Sequence, residues 1–399
     1  MRKTTLEKIA PNITSGSRGW ASFYSEEGAL FLRMTNLPKT GIGLLLHDNK
    51  YVKLPKGSSE GRRTRVQVND ILISITAELG KIGFVSEELG EAYVNQHVAL
   101  IRIEDPKTHP KYLAQYLASQ PERTRLNRLN DSGAKAGLSL RTINRFPVIL
   151  PPLPEQKAIA DLLSTWDEAI KKTEKLIQAK EKQFNIILNN LIYLPTLEGK
   201  WKQVRTKSLF KERKETKRGD LPLLSITNSE GVIPRENTNR KDTSNKDKSK
   251  YLRICPGDIG YNTMRMWQGV SALSSLEGIV SPAYTICTPG EKLCSLFVAY
   301  LFKMPFMINR FYRYSQGLTS DTWNLKYHHF SEVKMPLPAI EEQEQIADTL
   351  STAQQEIDLL KQLAEKYKTQ KRGLMQKMLT GEWRVKPEIV DQYVEKDHE

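Results

Sequence analysis

The chain contains 399 residues, of which 39% are hydrophobic and 27% are charged, and its formal net charge is +14. This length predicts two or three domains with substantial cores, and the positive charge favours a polyanionic partner. The three cysteines argue against a disulfide framework, and no signal-peptide pattern follows Met1. No apolar run approaches the roughly eighteen residues of a membrane-spanning helix. We therefore expect a cytoplasmic protein that does not enter a membrane.

Residues 1–150 are predicted to form a globular domain. Short apolar or β-branched runs bounded by turn residues indicate strands, and a later segment has apolar residues at helical spacing. The predicted elements are strands at 29–34 and 93–101, a turn leading into a strand at 68–75, and a helix at 112–130.

Residues 151–199 are predicted to form a long helix with a proline-rich entry. Pro154 suits a helix start, where its missing amide proton has no partner, and Glu155 follows in the first turn, where the positive helix end favours acidic residues. The entry sequence at 150–165 recurs at 337–352, and nine of the first seventeen helix positions are identical in the two copies. Such a repeat indicates an architecture built from duplicated units.

Both copies show the heptad spacing of a coiled coil. Eight of ten a and d positions are apolar in the first copy and nine of ten in the second. We therefore predict two helices of about 39 residues, each roughly 58 Å long at 1.5 Å per residue. The predicted coiled-coil core comprises Ile159, Leu163, Trp166, Ile170, Ile177, Phe184, Ile346, Leu350, Ile357, Leu360 and Leu374.

A helix of this length with one narrow apolar seam needs a partner, and the other copy is the nearest candidate. If the two halves are related by a pseudo-two-fold axis, the helices form an antiparallel coiled coil. A register with matched ends pairs Ile159 with Met378 and Trp166 with Lys371, the latter as a cation–π contact. The alternative is that each helix packs only on its own domain.

Residues 200–336 repeat the order of the first domain, and residues 337–385 form the second spacer helix. An acidic tail follows at 386–399. We therefore predict an α+β (mixed α/β) fold built by tandem duplication: domain, helix, domain, helix. The weak matches that support this order are Asp70-Ile71 with Asp258-Ile259, 93–101 with 279–287, and Gly137-Leu138 with Gly317-Leu318.

The segment 200–253 is strongly basic, with 16 Lys or Arg against 7 Asp or Glu. A charge run of this kind is most often a solvated surface. Its place at the start of a β-rich domain, with Asn and Tyr interleaved, favours nucleic-acid binding.

Motifs that carry catalysis are missing. There is no phosphate-binding loop, no Asn-Pro-Pro-Tyr of an amino-methyltransferase and no paired acidic motif of a nuclease metal site. The cysteines Cys287 and Cys294 with His328 and His329 lack zinc-ligand spacing. We expect no catalytic residue, metal or cofactor in this chain, which favours a reader over a catalyst.

The duplicated Pro-Glu-Gln helix entry, together with KRGLMQKMLTG at 371–381, resembles the specificity subunit of type I restriction–modification enzymes. So do Asp-Ile-Leu-Ile-Ser at 70–74 and Asn-Gln-His-Val-Ala at 95–99. The resemblance covers essentially the full length. It implies a non-catalytic subunit whose two target-recognition domains each read one half of a bipartite, asymmetric DNA site.

The resemblance also implies partners. The two helices would set the spacing of the domains and dock two modification (methyltransferase) subunits, which restriction subunits would join. S-adenosylmethionine, ATP and Mg²⁺ would belong to those partners. The first copy is longer by residues 194–198, so the inter-domain spacing stays open.

Base identity must be read by side chains that reach the groove edges of double-stranded DNA. Arginine forms a bidentate pair with guanine, and Asn or Gln with adenine, each worth about 1–3 kcal/mol of discrimination. Each candidate has the alternative of a solvated loop side chain, and Met264-Arg265-Met266-Trp267 has that of core packing. The candidates are Arg62, Arg63, Arg65, Asn95 and Gln96 in the first domain and Arg235, Arg240, Asn262, Arg265 and Gln268 in the second.

Other function classes fit parts of the sequence. A specificity subunit of a related type II system would carry the same duplicated reader. A coiled-coil scaffold whose domains bind protein would show no salt-dependent DNA binding. An enzyme with an unrecognised site is the third alternative.

Overall fold

The structure, a computed structural model, describes residues 1–16, 18–55, 61–129, 137–228, 230–238, 247–319 and 322–394. The chain divides into two compact units. Unit 1 comprises Met1–Glu174 and Gln362–Glu399, and unit 2 comprises Lys175–Lys361. Each unit therefore contains one of the repeated domains and part of each long helix.

Unit 1 combines short strands with small helices. Several strands are buried on both faces, as their continuous apolar sequences require. The strands are β1 Arg2–Thr5, β2 Thr14–Ser15, β3 Tyr24–Ser25, β4 Ala29–Leu32, β5 Tyr51–Val52, β6 Ile71–Ser74, β7 Ile82–Phe84, β8 Ala92–Val94, β9 Val98–Ile101 and β10 Pro147–Leu150. The helices are α1 Leu6–Ile9, α2 Pro110–Ala118, α3 Gln120–Arg128, α4 Leu140–Asn144 and the start of α5 Leu153–Leu188.

Two four-stranded sheets form the domain of unit 1, in the orders β2-β9-β6-β7 and β3-β5-β4-β8. In the first sheet β6 pairs antiparallel with β9, and Ile71 lies opposite Ile101. In the second sheet β4 and β8 run parallel. The apolar face of the first sheet joins α2 and the start of α5 in one core that includes Ile71, Tyr112 and Ile159.

Two predicted elements of the first domain are each divided in the structure. The expected strand at 93–101 is wrong as a single strand: it forms β8 and β9, which belong to different sheets. Asn95 causes the break, because its Oδ1 accepts a hydrogen bond from the backbone N–H of His97 at 3.1 Å. The helix expected at 112–130 is broken at Ser119, which is extended with ψ 149°, and Pro121 lies in the first turn of α3.

Unit 2 repeats the sequence of elements. Its short helix α6 follows a π-helical turn, Asn189–Tyr193, at the end of α5. The strands are β11 Lys202–Arg205, β12 Phe210–Glu212, β13 Leu224–Ile226, β14 Val232–Pro234, β15 Leu252–Ile254, β16 Ile259–Asn262, β17 Ser271–Leu273, β18 Gly278–Val280, β19 Tyr284–Pro289 and β20 Lys334–Leu337. The helices are α6 Leu194–Leu197, α7 Ser295–Leu301, α8 Pro305–Tyr314, α9 Tyr327–Phe330 and α10 Ile340–Leu379; α11 Pro387–Asp391 returns to unit 1.

The strand pairing confirms the duplication. The sheet β12-β19-β16-β17 repeats β2-β9-β6-β7 strand for strand, and the pair β11–β20 repeats β1–β10. The pairs β13–β14 and β15–β18 form separate two-stranded sheets in unit 2. The mixed α and β fold predicted from the sequence is therefore present in both units.

One predicted correspondence between the repeats is wrong. Leu138 is buried and its N–H donates to Ile75 O at 2.9 Å, whereas Leu318 is fully exposed. Leu325 holds the equivalent place in unit 2, since it is buried and its N–H donates to Thr263 O at 2.8 Å. The shared Gly-Leu pair was therefore a chance match.

The glutamine of each repeated helix entry fastens the helix to its domain. In unit 1 the Nε2 of Gln156 donates to Lys107 O at 3.0 Å and to Pro151 O at 2.8 Å, and its Oε1 accepts from His109 N at 2.9 Å. In unit 2 Gln343 makes the same three bonds, to Lys292 O, Pro338 O and Cys294 N, each at 3.0 Å. Both glutamines are fully buried. The repeated motif thus acts as a structural lock, because its glutamine holds each long helix to the domain before it.

The long helices pair antiparallel within each unit. In unit 1 Lys371 of α10 is paired with Asp167 of α5, and Lys368 with Glu174 at 3.0 Å. In unit 2 Lys180 is paired with Glu356 at 2.8 Å, and Lys361 with Glu181 at 2.7 Å. The a and d positions of both helices are buried or half-buried throughout.

The structure places Trp166 and Lys371 differently from the predicted register. Lys371 donates to the carboxylate of Asp167, the next residue along. The Trp166 ring instead contacts Tyr367 edge to face, with centroids 5.7 Å apart. Ile159 and Met378 are buried in the same core, as the matched-ends register places them.

The helices do not pack on the domains alone, since they also pair with each other, but their ends do reach the domain cores. Phe184 of α5 lies against the core of unit 2, where its ring centroid is 6.2 Å from that of Tyr300. The chain after α10 returns to α5 in unit 1: Arg384 forms a bidentate pair with Glu155, and Tyr393 of the acidic tail donates to Asp161 at 2.9 Å.

Candidate nucleic-acid interface

At one end of the sheet β2-β9-β6-β7, and of its counterpart β12-β19-β16-β17, the same three backbone segments meet. In unit 1 the loop after β6, the turn before β9 and the segment at 137–138 are joined by hydrogen bonds from Ile75 N to His97 O (3.0 Å) and from Leu138 N to Ile75 O (2.9 Å). We call residues 75–79, 95–97 and 137–138 the first loop cluster.

Unit 2 has the equivalent junction. Thr263 N donates to Ala283 O at 3.0 Å, and Leu325 N donates to Thr263 O at 2.8 Å. We call residues 262–268, 281–283 and 322–325 the second loop cluster. Five of the ten predicted base readers lie in these two clusters: Asn95, Gln96, Asn262, Arg265 and Gln268.

The first loop cluster is polar. His97 lies between Thr76, whose Oγ1 is 2.8 Å from its Nδ1, and Gln96, whose Nε2 is 3.2 Å from its Nε2. Asn95 is buried, and its backbone and side chain hold the turn. Gln96 is half-buried, so it presents more of its side chain to solvent than Asn95.

The predicted arginines of unit 1 lie outside this cluster, in and beside a one-turn helix between β5 and β6. Arg62, Arg63 and Arg65 are all exposed. Arg62 and Arg65 make no side-chain hydrogen bond or ion pair within the described ranges, and the guanidinium of Arg63 is 3.5 Å from Ser15 O. Gly61 allows this turn to lie on Tyr93, because at φ +79° a Cβ would stand 2.5 Å from the tyrosine ring. Burial and the hydrogen bond to Glu91 raise the pKa of Tyr93 to about 12, so this platform stays neutral.

The second loop cluster combines exposed polar and apolar side chains. Arg265 and Gln268 are exposed, whereas Met266 is fully buried in the core of unit 2. Asn262 Oδ1 accepts from Met264 N at 3.0 Å, and Trp267 Nε1 donates to Met264 O at 3.0 Å. The stretch 264–267 is therefore partly core and partly surface.

Lys303 holds the end of this loop by a hydrogen bond, a role that the sequence did not predict. Its Nζ donates to Gly269 O at 2.8 Å, directly after the turn that carries Gln268, and to Asn228 Oδ1 at 2.7 Å. Burial lowers the pKa of Lys303 to about 8. A lone lysine between two apolar helices gives no sequence signal for this role.

Of the other two predicted readers, only Arg235 is described, and it lies outside both clusters. Arg235 follows β14 and is half-buried, and its guanidinium donates to Ser225 Oγ at 3.2 Å. Arg240 lies outside the described residues.

Ion pairs neutralise much of the basic segment 200–253. Arg253, for example, donates to Glu215 at 2.9 Å and also pairs with Glu277. The paired basic residues are Lys200, Arg205, Lys207, Arg213, Lys214, Arg218 and Arg253. Acidic neighbours therefore offset part of the positive charge among the described residues of this segment.

Metal chemistry and membrane insertion find no support in the described part of the chain. No group of three or more His, Cys, Asp and Glu side chains there could hold a metal ion. Among the same residues, no helix combines the length and the apolar character needed to cross a membrane.

Comparisons with known proteins agree on one family. The Type I restriction modification DNA specificity domain matches twice, over residues 38–181 and 201–368. The MjaX specificity subunit of Methanocaldococcus jannaschii is 23% identical over 361 residues, which are 81% of this chain and 80% of that protein. The MjaVIII specificity subunit of the same organism is 26% identical over 275 residues, which are 62% and 64% of the two chains.

Solved structures show the same fold. The crystal structure of a type I restriction–modification S subunit from M. genitalium superposes with a TM-score of 0.59 at 14% identity, and the match covers 94% of this chain and 95% of that one.

Proposed function

The chain belongs to the family of type I restriction–modification DNA specificity subunits, and we propose that each of its two domains reads one half of a bipartite, asymmetric DNA site. The chain is the non-catalytic recognition subunit, and the chemistry of methylation and cleavage lies in its partners. The two loop clusters carry this proposal.

The clusters stand at equivalent ends of equivalent sheets but differ in chemistry. Thr76 and His97 of the first are polar, whereas Met264 and Ala283 occupy the matching places in the second. Two domains with the same strand order but different loop side chains recognise different bases. The two halves of the site therefore differ.

Exposed, unpaired cations suit the reading of base edges and phosphates. We propose that the arginines at 62, 63 and 65 bind DNA beside Gln96 in unit 1, and that Arg265 and Gln268 do so in unit 2. Asn95, Asn262 and Arg235 are weaker readers, because internal hydrogen bonds engage their side chains. Phosphate contacts would make affinity fall steeply with salt.

The long helices have the second role. We propose that they set the spacing between the two half-sites and dock two modification subunits, which restriction subunits then join. S-adenosylmethionine, ATP and Mg²⁺ would act in those partners. We also propose a cytoplasmic location, which the free thiols of Cys255, Cys287 and Cys294 support.

Methylome sequencing of a host that supplies the modification subunit, with and without this chain, tests the proposal. A split, asymmetric methylated motif that requires the chain is the expected result. Exchanging residues 1–150 for those of a relative should change one half of the motif and leave the other half unchanged.

Two outcomes would contradict the proposal. A motif that persists without the chain would assign recognition to another subunit. An assembled complex that binds DNA with no salt dependence and no sequence preference would favour the protein scaffold.

A further inference from the structure

The second loop cluster presents apolar side chains where the first presents polar ones. Pro282 and Ala283 are exposed, and Met264 is 50% exposed. The segment 281–283 reads Ser-Pro-Ala, whereas the matching segment 95–97 reads Asn-Gln-His. Each segment accepts a backbone hydrogen bond of 3.0 Å from the loop after the neighbouring strand, β16 or β6. The two domains therefore differ in chemistry here while sharing the backbone arrangement.

Side-chain hydrogen bonds fix the backbone on both sides of Met264. Its N–H donates to Asn262 Oδ1 at 3.0 Å, and its carbonyl oxygen accepts from Trp267 Nε1 at 3.0 Å. The preceding Thr263 is joined to Ala283 O by its N–H at 3.0 Å and by its Oγ1 at 2.9 Å. Met264 and Ala283 are therefore held in adjacent places, and a ligand that contacts them has little backbone left to order.

Polar side chains that suit base edges lie beside this apolar face. Arg265 and Gln268 are exposed, and neither side chain makes a hydrogen bond or ion pair within the described ranges. The backbone N–H of Gln268 donates to Arg265 O at 3.0 Å, and Lys303 Nζ donates to Gly269 O at 2.8 Å, so the turn that carries both side chains is also fixed. A single exposed methionine is ordinary on a protein surface. On a fixed turn beside an unpaired cation and an unpaired amide, it completes the set of groups that reads bases.

We propose that Met264, with Ala283 beside it, contacts the C5-methyl group of a thymine in the half-site that the second domain reads. The inference rests on the proposed function and names one base of that half-site. The thymine methyl is the apolar group that base pairs display in the major groove, and apolar side chains recognise it. Arg265 and Gln268 pair with the edges of neighbouring bases, where guanine and adenine offer bidentate partners. The polar first cluster makes no such methyl contact.

The test uses the assembled complex of the full chain with its modification subunit and duplexes that carry the motif identified by methylome sequencing. The second half-site is the half that stays unchanged when residues 1–150 are exchanged. Each thymine on either strand is replaced in turn by deoxyuridine, which lacks only the methyl group. Wild-type complex should bind about fourfold more weakly at one thymine of the second half-site, the equivalent of one buried methyl group.

The variant Met264→Ala should bind the parent duplex about fourfold more weakly, because the same methyl contact is lost. The deoxyuridine substitution should then cause no further loss, since the two changes remove one shared interaction. Met264→Leu keeps an apolar side chain of similar volume and should retain the uracil effect. Thr76→Ala is the matched control: Thr76 holds the place of Met264 in the first domain, and its truncation should leave the uracil effect in the second half-site unchanged.

Several results would overturn the assignment. Met264 does not read thymine if the second half-site contains none, if no uracil substitution there weakens wild-type binding, or if the uracil and Met264→Ala effects simply add. Loss of complex assembly in Met264→Ala, seen by size-exclusion chromatography, would make this face a protein contact. A wild-type complex that does not distinguish the motif from a scrambled duplex refutes the proposed function itself, which separates the two failures.

Discussion

Replacing Gln156 by alanine tests the lock between the first long helix and its domain. The change removes three buried hydrogen bonds, to Lys107 O, Pro151 O and His109 N. At about 1 kcal/mol of net stability for each bond, the expected loss is about 3 kcal/mol, which corresponds to an opening equilibrium on the order of a hundredfold larger.

Hydrogen exchange followed by mass spectrometry measures this loss locally. In Gln156→Ala the amides of α2, which follows the His109 contact, should exchange on the order of a hundredfold faster. The amides of α7 in unit 2 should be unaffected. Gln343→Ala is the reciprocal control, because it removes the same three bonds next to α7. The assignment would be refuted if either variant accelerated amide exchange equally in α2 and α7, or if neither variant accelerated it in either helix.

Two further substitutions follow from buried charges. Arg102→Met should lower the free energy of unfolding, measured in urea, by about 3 kcal/mol, because the buried Asp70 loses both of its bonds to the guanidinium. Adding Asp70→Asn should restore part of that loss. If it restores nothing, the unpaired carboxylate is not the cause. Burial lowers the pKa of Lys303 to about 8, against an ordinary value of 10.5. Between these two pH values the unfolded chain binds more protons than the folded chain, so the free energy of unfolding should rise with pH across that window. Lys303→Met should remove this rise when unfolding is compared at about pH 7.5 and about pH 10; identical pH slopes in the two proteins would contradict the assignment.

The repeated helices were predictable because their constraints are local and periodic. A narrow apolar seam at heptad spacing has few structural solutions, and the Pro-Glu-Gln entry occurs twice. The role of Gln156 was not predictable, since its three partners lie up to 49 residues away in the sequence. The break at Asn95 was missed for a similar reason, because nothing local tells whether an apolar–polar–apolar run is one strand or two strands with a turn.

Prediction of the reading surface was less complete. Residue type suggested Asn95 and Arg235, but hydrogen bonds within the fold engage both. The basic segment 200–253 favoured nucleic-acid binding, yet acidic residues such as Glu215 neutralise part of its charge. The match of Gly317-Leu318 with Gly137-Leu138 was wrong because an exposed leucine and a buried one look alike in a sequence. Which side chains remain available to a ligand depends on tertiary partners, and composition does not contain that information.

The two domains share a structural requirement but meet it differently. Asp70 and Asp258 are buried at the equivalent point before β6 and β16, and each accepts a backbone N–H three residues upstream. Asp70 pairs with Arg102 beyond β9, whereas Asp258 pairs with Arg213 beyond β12 at 2.8 Å and accepts from Thr288.

A buried carboxylate must be paired, but the partner can follow the adjacent strand, as Arg102 follows β9, or the strand beyond it, as Arg213 follows β12. The repeats have therefore exchanged even a core ion pair while keeping the strand order. Loop side chains such as His97 and Met264 face weaker constraints than this ion pair, so they are free to diverge further. The shared strand order tolerates substitution in the core and keeps the geometry of the loops. Two copies of one domain can therefore read two different half-sites.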